Sequence, residues 1–187
     1  MEKVMQDAEA ICRLKRGEID GLETLVERYQ VRAVRTAYLV VQDEALAEDV
    51  AQETFLRIFQ RIRFFDETRP FKPYLMRSVV NAALDSIEKL KHETDFDGES
   101  DEIERLMSQA MSVEAQTEAG ELQEQILAAI AKLPPRQRAV IVQRYYLEMS
   151  EAEMAQTLDA PAGTVKWLLN AARARLQTLL GAERSAK

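Results

Sequence analysis

The stretch SEAEMAQTLDAPAGTVKWLLNAARARL, residues 150–176, decides how this chain is built. Ser150 is placed to cap a helix, and Glu153 three residues later completes a capping box. DAPAG (159–163) makes a short turn, because Pro161 removes a backbone donor and Gly163 suits tight backbone geometry. Thr164 can cap the longer helix expected from 164 to about 180, ended by Gly181. Advancing about 100° per residue from Val165 puts Leu169, Ala172, Leu176 and Leu180 on the same side. Lys166, Trp167, Asn170, Arg173 and Ala174 fall largely opposite, and Leu168 sits at the edge of the apolar sector. A helix, a short turn and a longer amphipathic helix form the helix-turn-helix pattern. Trp167 is the oddity, since it stands where a helix bound for a phosphate-lined groove would carry charge.

Composition sets the frame around this motif. The chain has 187 residues, room for one medium domain or two small ones. An apolar share of 47% suffices for helical cores, while six Gly and five Pro are too few for an all-β or low-complexity protein. Cys12 is the only cysteine, so no internal disulfide forms and a reducing compartment fits. No apolar run approaches the roughly 20 residues of a membrane span and no signal peptide opens the chain, so a cytoplasmic protein without membrane insertion is expected. Net charge is −7, but unevenly placed. Residues 91–120 carry nine acidic side chains against two basic, whereas 132–187 carry nine basic against five acidic. The C-terminal part is therefore cationic by itself, and the whole-chain charge hides this.

The N-terminal part reads as helices throughout. Asp20 is the expected cap of a helix burying Leu22, Leu25, Val26, Tyr29, Ala33, Val34, Ala37, Tyr38 and Val41. Asp43 caps the next, to about 62, with Ala47, Val50, Ala51, Phe55, Ile58 and Ile62 inward. FDETRPFKP (65–73) breaks the pattern, since Pro70 and Pro73 disfavour helix before them. A third helix is expected from about 73 to 89, burying Leu75, Met76, Val79, Val80, Leu84 and Ile87. KHETDFDGESDE (91–102) reads as a solvated acidic linker, and Ile103, Leu106, Met107, Ala110 and Met111 repeat at helical spacing within the connection. Helices are then expected from 122 to about 133 and from 136 to 147, separated by Pro134 and Pro135. The fold class is all-α: two small helical domains, at 5–90 and 121–182, joined by an acidic linker at 91–120.

AEDVAQETFLRIF (47–59), FKPYLMRSVVNAALD (71–85), LPPRQRAVIVQRYYLEMSEAEMAQTLDAPAGTVK (133–166) and AARARL (171–176) together resemble bacterial extracytoplasmic-function sigma factors. These compact sigma-70 family members carry only regions 2 and 4, and both modules occur here in order. The resemblance implies a region 2 helical bundle and a region 4 helix-turn-helix. It implies a protein that binds core RNA polymerase and directs it to promoters. Region 2 would dock on the coiled coil of the largest subunit and open the −10 element; region 4 would sit on the flap of the second-largest subunit and read the −35 element. An anti-sigma factor is a further partner the family implies.

Carried onto this chain, the polymerase-binding face is Asp49, Gln52, Glu53 and Leu56, on the side of the second helix away from the core. Thr68, Phe71, Lys72, Tyr74, Arg77 and Asn81 are the −10 candidates: a loop that captures an unstacked base, then a polar helix stripe. Phe71 and Tyr74 would stack on a base, although rings there also suit a core, and Tyr74 stands where the family usually has Trp. Asn81 offers a donor and an acceptor to a base edge. Glu88 departs from the basic residues the family places after Asp85, which leaves Lys89 and Lys91 to meet phosphates. Thr164, Lys166, Trp167, Asn170 and Arg173 are the −35 candidates. The family usually has small or polar and then basic residues at 167 and 168 and another basic one at 171; here they are Trp, Leu and Ala.

Two other readings stay open at this level. A stand-alone helix-turn-helix regulator accounts for 133–180 and leaves AEDVAQETFLRIF without a role. A sigma-like protein-interaction module accounts for Trp167 and the missing basic residues. Catalysis is not expected, and no cofactor or metal is implied: His92 and Cys12 are the sole residues of their kinds and lack partners for a nucleophile or a metal site.

Overall fold

The computed structural model describes residues 2–94 and 118–185, and every regular element among them is helical. The first module holds α1 (Glu2–Lys15), α2 (Asp20–Val41), α3 (Glu44–Arg61), a 3₁₀ turn (Ile62–Phe64) and α4 (Phe71–Thr94). The second holds α5 (Glu118–Ala131), α6 (Pro135–Ile141) with a π-helical turn (Val142–Tyr146), α7 (Glu151–Thr157) and α8 (Ala162–Ser185).

In the first module α2 is the central element, packed against α1, α3 and α4. Its inward stripe of Leu25, Tyr29, Ala33, Ala37, Val40 and Val41 is buried among Val50, Phe55, Ile58, Leu75, Val79 and Val80. The α1 helix is not among the elements expected from sequence. It contributes Ala10, Ile11 and Leu14 to the core and crosses α2 at Gly21, where an added Cβ would lie 2.3 Å from the Ala10 carbonyl oxygen. Only glycine allows that approach. Asp7 reaches across the same crossing to accept bonds from Arg28 and from the Tyr29 hydroxyl.

Several expected boundaries move. Asp43 caps α3 as read, accepting from the Leu46 N–H at 2.7 Å. Asp20 does not cap α2: Ile19 occupies that position without a side-chain bond, and Asp20 is the first helical residue, where a carboxylate suits the helix dipole. The α4 helix starts at Phe71 rather than 73, because Pro73 in the first turn sacrifices no hydrogen bond. It continues to Thr94, into the expected linker. Thr164 lies inside the first turn of α8, whose start is set by the Pro161 carbonyl accepting from Thr164 and Val165 at 2.9 and 3.2 Å. Gly181 does not end α8, which runs to Ser185; a single helical glycine costs only about 1 kcal/mol. The helical repeat read at 103–111 and the acidic run at 95–102 lie outside the described residues.

The second module closes on Leu133, Val140, Ile141, Met154, Val165, Leu168, Leu169 and Ala172. Leu168 is thus a packing residue, as its angular position implied. Ser150 and Glu153 form the full capping box, with the Ser150 N–H donating to Glu153 at 2.8 Å. Those bonds hold the Glu153 carboxyl below its ordinary range. Arg138 is buried, and its Nη1 donates to the Ala131 carbonyl at the end of α5, 2.9 Å away. Burial pushes its guanidinium pKa down to about 10.

The two modules touch. Ala139 and Val142 of the α6 turn are buried in the first module's core cluster, and Leu127, Tyr146 and Leu147 pack against the same cluster. Arg32 of α2 donates to the Tyr146 carbonyl at 3.2 Å and lies 5.3 Å over its ring. Arg136 pairs with Glu88 of α4 at 3.3 Å.

Candidate polymerase and nucleic-acid interfaces

Three surfaces gather the residues singled out from sequence. The first is the outward side of α3. Burying Ala47, Val50, Ala51, Phe55 and Ile58 turns Asp49, Gln52, Glu53 and Leu56 to solvent, all four exposed. Leu56 is 54% exposed, and Glu53, three residues before it, is braced by Arg57 at 2.6 Å. An apolar side chain beside acids suits a partner that is basic next to a small hydrophobic spot.

The second surface lies where α3 hands over to α4. The 3₁₀ turn and the 65–70 loop form a recess of about 500 Å³ lined by Arg61, Phe64, Phe65, Asp66, Arg69 and Tyr74. The loop is internally tied: Asp66 accepts from the Thr68 N–H at 3.0 Å and from its hydroxyl at 2.6 Å. Lys15 of α1 anchors it, donating to the Phe65 carbonyl at 2.8 Å and pairing with Glu67 at 2.6 Å. Of the residues expected here, Tyr74 lines the recess, Thr68 and Lys72 are exposed beside it, and Arg77 and Asn81 are half-buried along α4.

Phe71 is corrected. It is 3% exposed, its ring set against Tyr29 and Phe65 with centroids 5.9 and 5.8 Å away. A ring enclosed in this way has no face left for a base, so Phe71 is a core residue, its ring 6.3 Å from that of Tyr74. The exposed aromatic of this region is Phe64, which sequence reasoning missed. It is 75% exposed, with the Arg63 guanidinium 4.7 Å from its ring centroid. Its signal was the doubled Phe64–Phe65 at the break, where helical spacing can bury only one of two adjacent rings. Arg61 and Arg69 were missed as well; they line the recess together with Asp66, with which Arg69 pairs at 3.4 Å.

The third surface is α8. Burial of Val165, Leu168, Leu169 and Ala172 leaves Lys166, Trp167, Asn170 and Arg173 exposed on the outward side of α8, with Thr164 exposed in its first turn. Trp167 is 65% exposed and packs into neither core cluster. Arg173 is held from the π turn: its Nε donates to the Tyr145 hydroxyl at 3.0 Å, and the guanidinium lies 5.9 Å from the ring. Tyr145, 60% exposed, is a further residue that sequence reasoning did not select.

The family model described as Sigma-70 region 2 matches residues 25–93, and that of Sigma-70, region 4 matches 123–176. The chain is 32% identical over 176 residues to a Bacillus subtilis (strain 168) protein named ECF RNA polymerase sigma factor SigW, covering 91% of this chain and 94% of that one. It is 27% identical over 158 residues to SigM of the same organism, covering 84% and 94%. Among solved structures, CnrH in complex with the cytosolic domain of CnrY matches at a TM-score of 0.62 and 25% identity, over 95% of this chain and 98% of that one. The sigma factor RpoE of Bartonella quintana, solved with the anti-sigma factor NepR, matches in fold at 0.68 and 22% identity, over 85% and 96%.

Proposed function

The chain belongs to the extracytoplasmic-function sigma factors of the sigma-70 family, and from that premise we propose how its three surfaces divide the work. A sigma factor binds core RNA polymerase and directs initiation at particular promoters, and that is the function of this chain. The module at 5–90 acts as region 2 and the module at 121–182 as region 4, with 91–120 between them. The α3 face of Asp49, Gln52, Glu53 and Leu56 docks on the basic coiled coil of the largest polymerase subunit. The exposure of Leu56 beside Asp49 and Glu53 supports this assignment.

The recess beside Tyr74 takes an unstacked base of the melted −10 element. Phe64 and Tyr74 supply ring faces, Arg61 and Arg69 meet phosphate, and Arg77 and Asn81 address the strand along α4. In region 4, α8 enters the major groove of the −35 element. Lys166 and Arg173 meet phosphates, Thr164 and Asn170 address backbone and base edges, and Trp167 makes apolar contact with a thymine methyl or the sugar-phosphate. Anti-sigma factors are the second class of partner, as the solved complexes of CnrH with CnrY and of RpoE with NepR illustrate for those proteins. The chain acts by binding rather than by catalysis. It works where polymerase and chromosome are, in the cytoplasm.

The test is run-off transcription with purified core polymerase on a promoter library, where the chain should confer promoter-specific initiation that core alone lacks. Leu56→Asp should lower core affinity by about tenfold, the scale of one desolvated interface anchor. Failure to bind core would overturn the assignment, and tight specific duplex binding without core would favour a stand-alone regulator.

A further inference from the structure

We propose that Lys15 of α1 is a positioning residue for the −10 recess: it braces the 65–70 loop so that the recess keeps the shape that captures an unstacked base. Its role rests on the reading of that recess as the base-capture site. Lys15 stands outside the loop and outside α3 and α4, yet its ammonium reaches the loop at two points. It donates to the Phe65 carbonyl at 2.8 Å and pairs with the Glu67 carboxylate at 2.6 Å. These two residues flank Asp66, and Phe65 and Asp66 both line the recess. An ammonium carries three donors, so one side chain can hold both points at once.

A brace works only from a fixed base, and α1 is fixed at both ends. Its C-terminus closes at Gly17, whose φ of 86° is the left-handed geometry of a helix stop. There the Glu18 N–H donates to the Arg13 carbonyl and the Gly17 N–H to the Leu14 carbonyl, each at 3.0 Å. That stop leaves Lys15 in the last turn of α1. Toward the other end, Asp7 accepts from Arg28 and from the Tyr29 hydroxyl of α2. Between them, the close approach at Gly21 and the buried Ala10, Ile11 and Leu14 seat the helix in the core.

The loop needs such a tie because burial does not hold it. Phe65 is buried, but residues 66–70 are all exposed. A segment with few buried apolar contacts opens easily unless polar bonds retain it. Asp66 with Thr68 and Arg69 ties the loop to itself; Lys15 ties it to α1. The Lys15 side chain is only 25% exposed, and its bond to a carbonyl is charge-assisted, which sets it apart from a solvated surface pair. Through Phe65 the brace also reaches the ring that faces a captured base: the Phe65 and Tyr74 centroids are 4.9 Å apart. Holding loop and ring in place beforehand lowers the ordering cost when a base enters.

Lys15→Met, which keeps the apolar stem and removes the charge and donors, tests this in two measurements, with Lys15→Arg as the conservative rescue. In the free, full-length chain, hydrogen exchange of the 65–70 amides should quicken about tenfold in Lys15→Met and stay near wild type in Lys15→Arg, with protection of α2 to α4 unchanged. In holoenzyme with core polymerase, single-stranded oligonucleotides carrying the −10 sequence recovered from the run-off library are compared with versions lacking one base at a time. Wild type should lose about tenfold in affinity when the captured base is removed. Lys15→Met should lose only about twofold at that position and as much as wild type elsewhere, and Lys15→Arg should restore the full penalty. A general loss of stability would not single out one base. Unchanged loop exchange in Lys15→Met would overturn the brace, and an unchanged penalty at the captured base would overturn its positioning role. A wild type indifferent to every removed base would overturn the base-capture reading and the role of Lys15 with it, while the exchange rates report separately whether the loop is braced.

Discussion

Trp167 separates what a residue's identity says from what its position says. Its angular place on α8 put it outside the apolar sector, and the structure exposes 65% of it beside Lys166 and Asn170. Trp167→Ala is expected to cost promoters about tenfold in their dependence on the −35 element while core binding survives, measured by run-off on templates with and without that element. Unchanged selectivity would make it a protein contact instead. Tyr29 shows the reverse case, a polar group drawn into the core. Burial first, and then its bond to Asp7, raise its hydroxyl to about 12 from an ordinary 10.0. The neutral phenol is therefore favoured by folding, and its contribution is complete below about pH 10 and lost as pH rises through about 12. The stability gap between wild type and Tyr29→Phe should narrow across that window in alkaline urea titrations. Phe71 and Phe64 show where single residues misled. Both were aromatic at the same break, and only the folded packing buried one and exposed the other.

Helix number and type among the described elements were largely legible from apolar spacing, while helix ends were not. Spacing reports which face is buried, and burial is a strong signal over three or more turns. An end depends on one or two local bonds. Asp43 won its cap because its side chain reaches the Leu46 N–H; Asp20, just as plausible by type, became the first helical residue. The α7 helix tests how much a cap can matter. It has only seven residues, too short to persist on propensity, and Ser150 and Glu153 close its first turn. Ser150→Ala should destabilise the chain by about 1 kcal/mol in urea unfolding near neutral pH. The Glu153 carboxyl is depressed by the same bonds, so that stability exists above its unfolded pKa and fades as pH falls through the carboxylate range. The penalty should therefore shrink in acid.

At the scale of the whole molecule, the modules share a boundary that neither shows alone. Ala139 and Val142 belong to the second module in sequence and to the first module's core in space. A chain whose modules are joined by such a seam should unfold by calorimetry as one coupled transition. Arg32→Ala with Arg136→Glu should separate it into two, since modules with small interfaces unfold independently. Two independent transitions in wild type would argue against the seam. The recess beside Tyr74 is a feature of the same kind, for its rim comes from α3, the 3₁₀ turn, the loop and α4 together.

By itself, the amino-acid sequence determined the helical class, the inward stripes of α2, α3, α4 and α8, the capping box, and the family through its two motif blocks. These are local or periodic properties, written within a few turns of chain. Tertiary structure alone decided that Phe71 is core and Phe64 is surface, that Tyr145 holds Arg173, and that Arg136 partners Glu88. Each of these joins residues from different elements, and which side chains meet there depends on how whole helices pack, which no local spacing encodes.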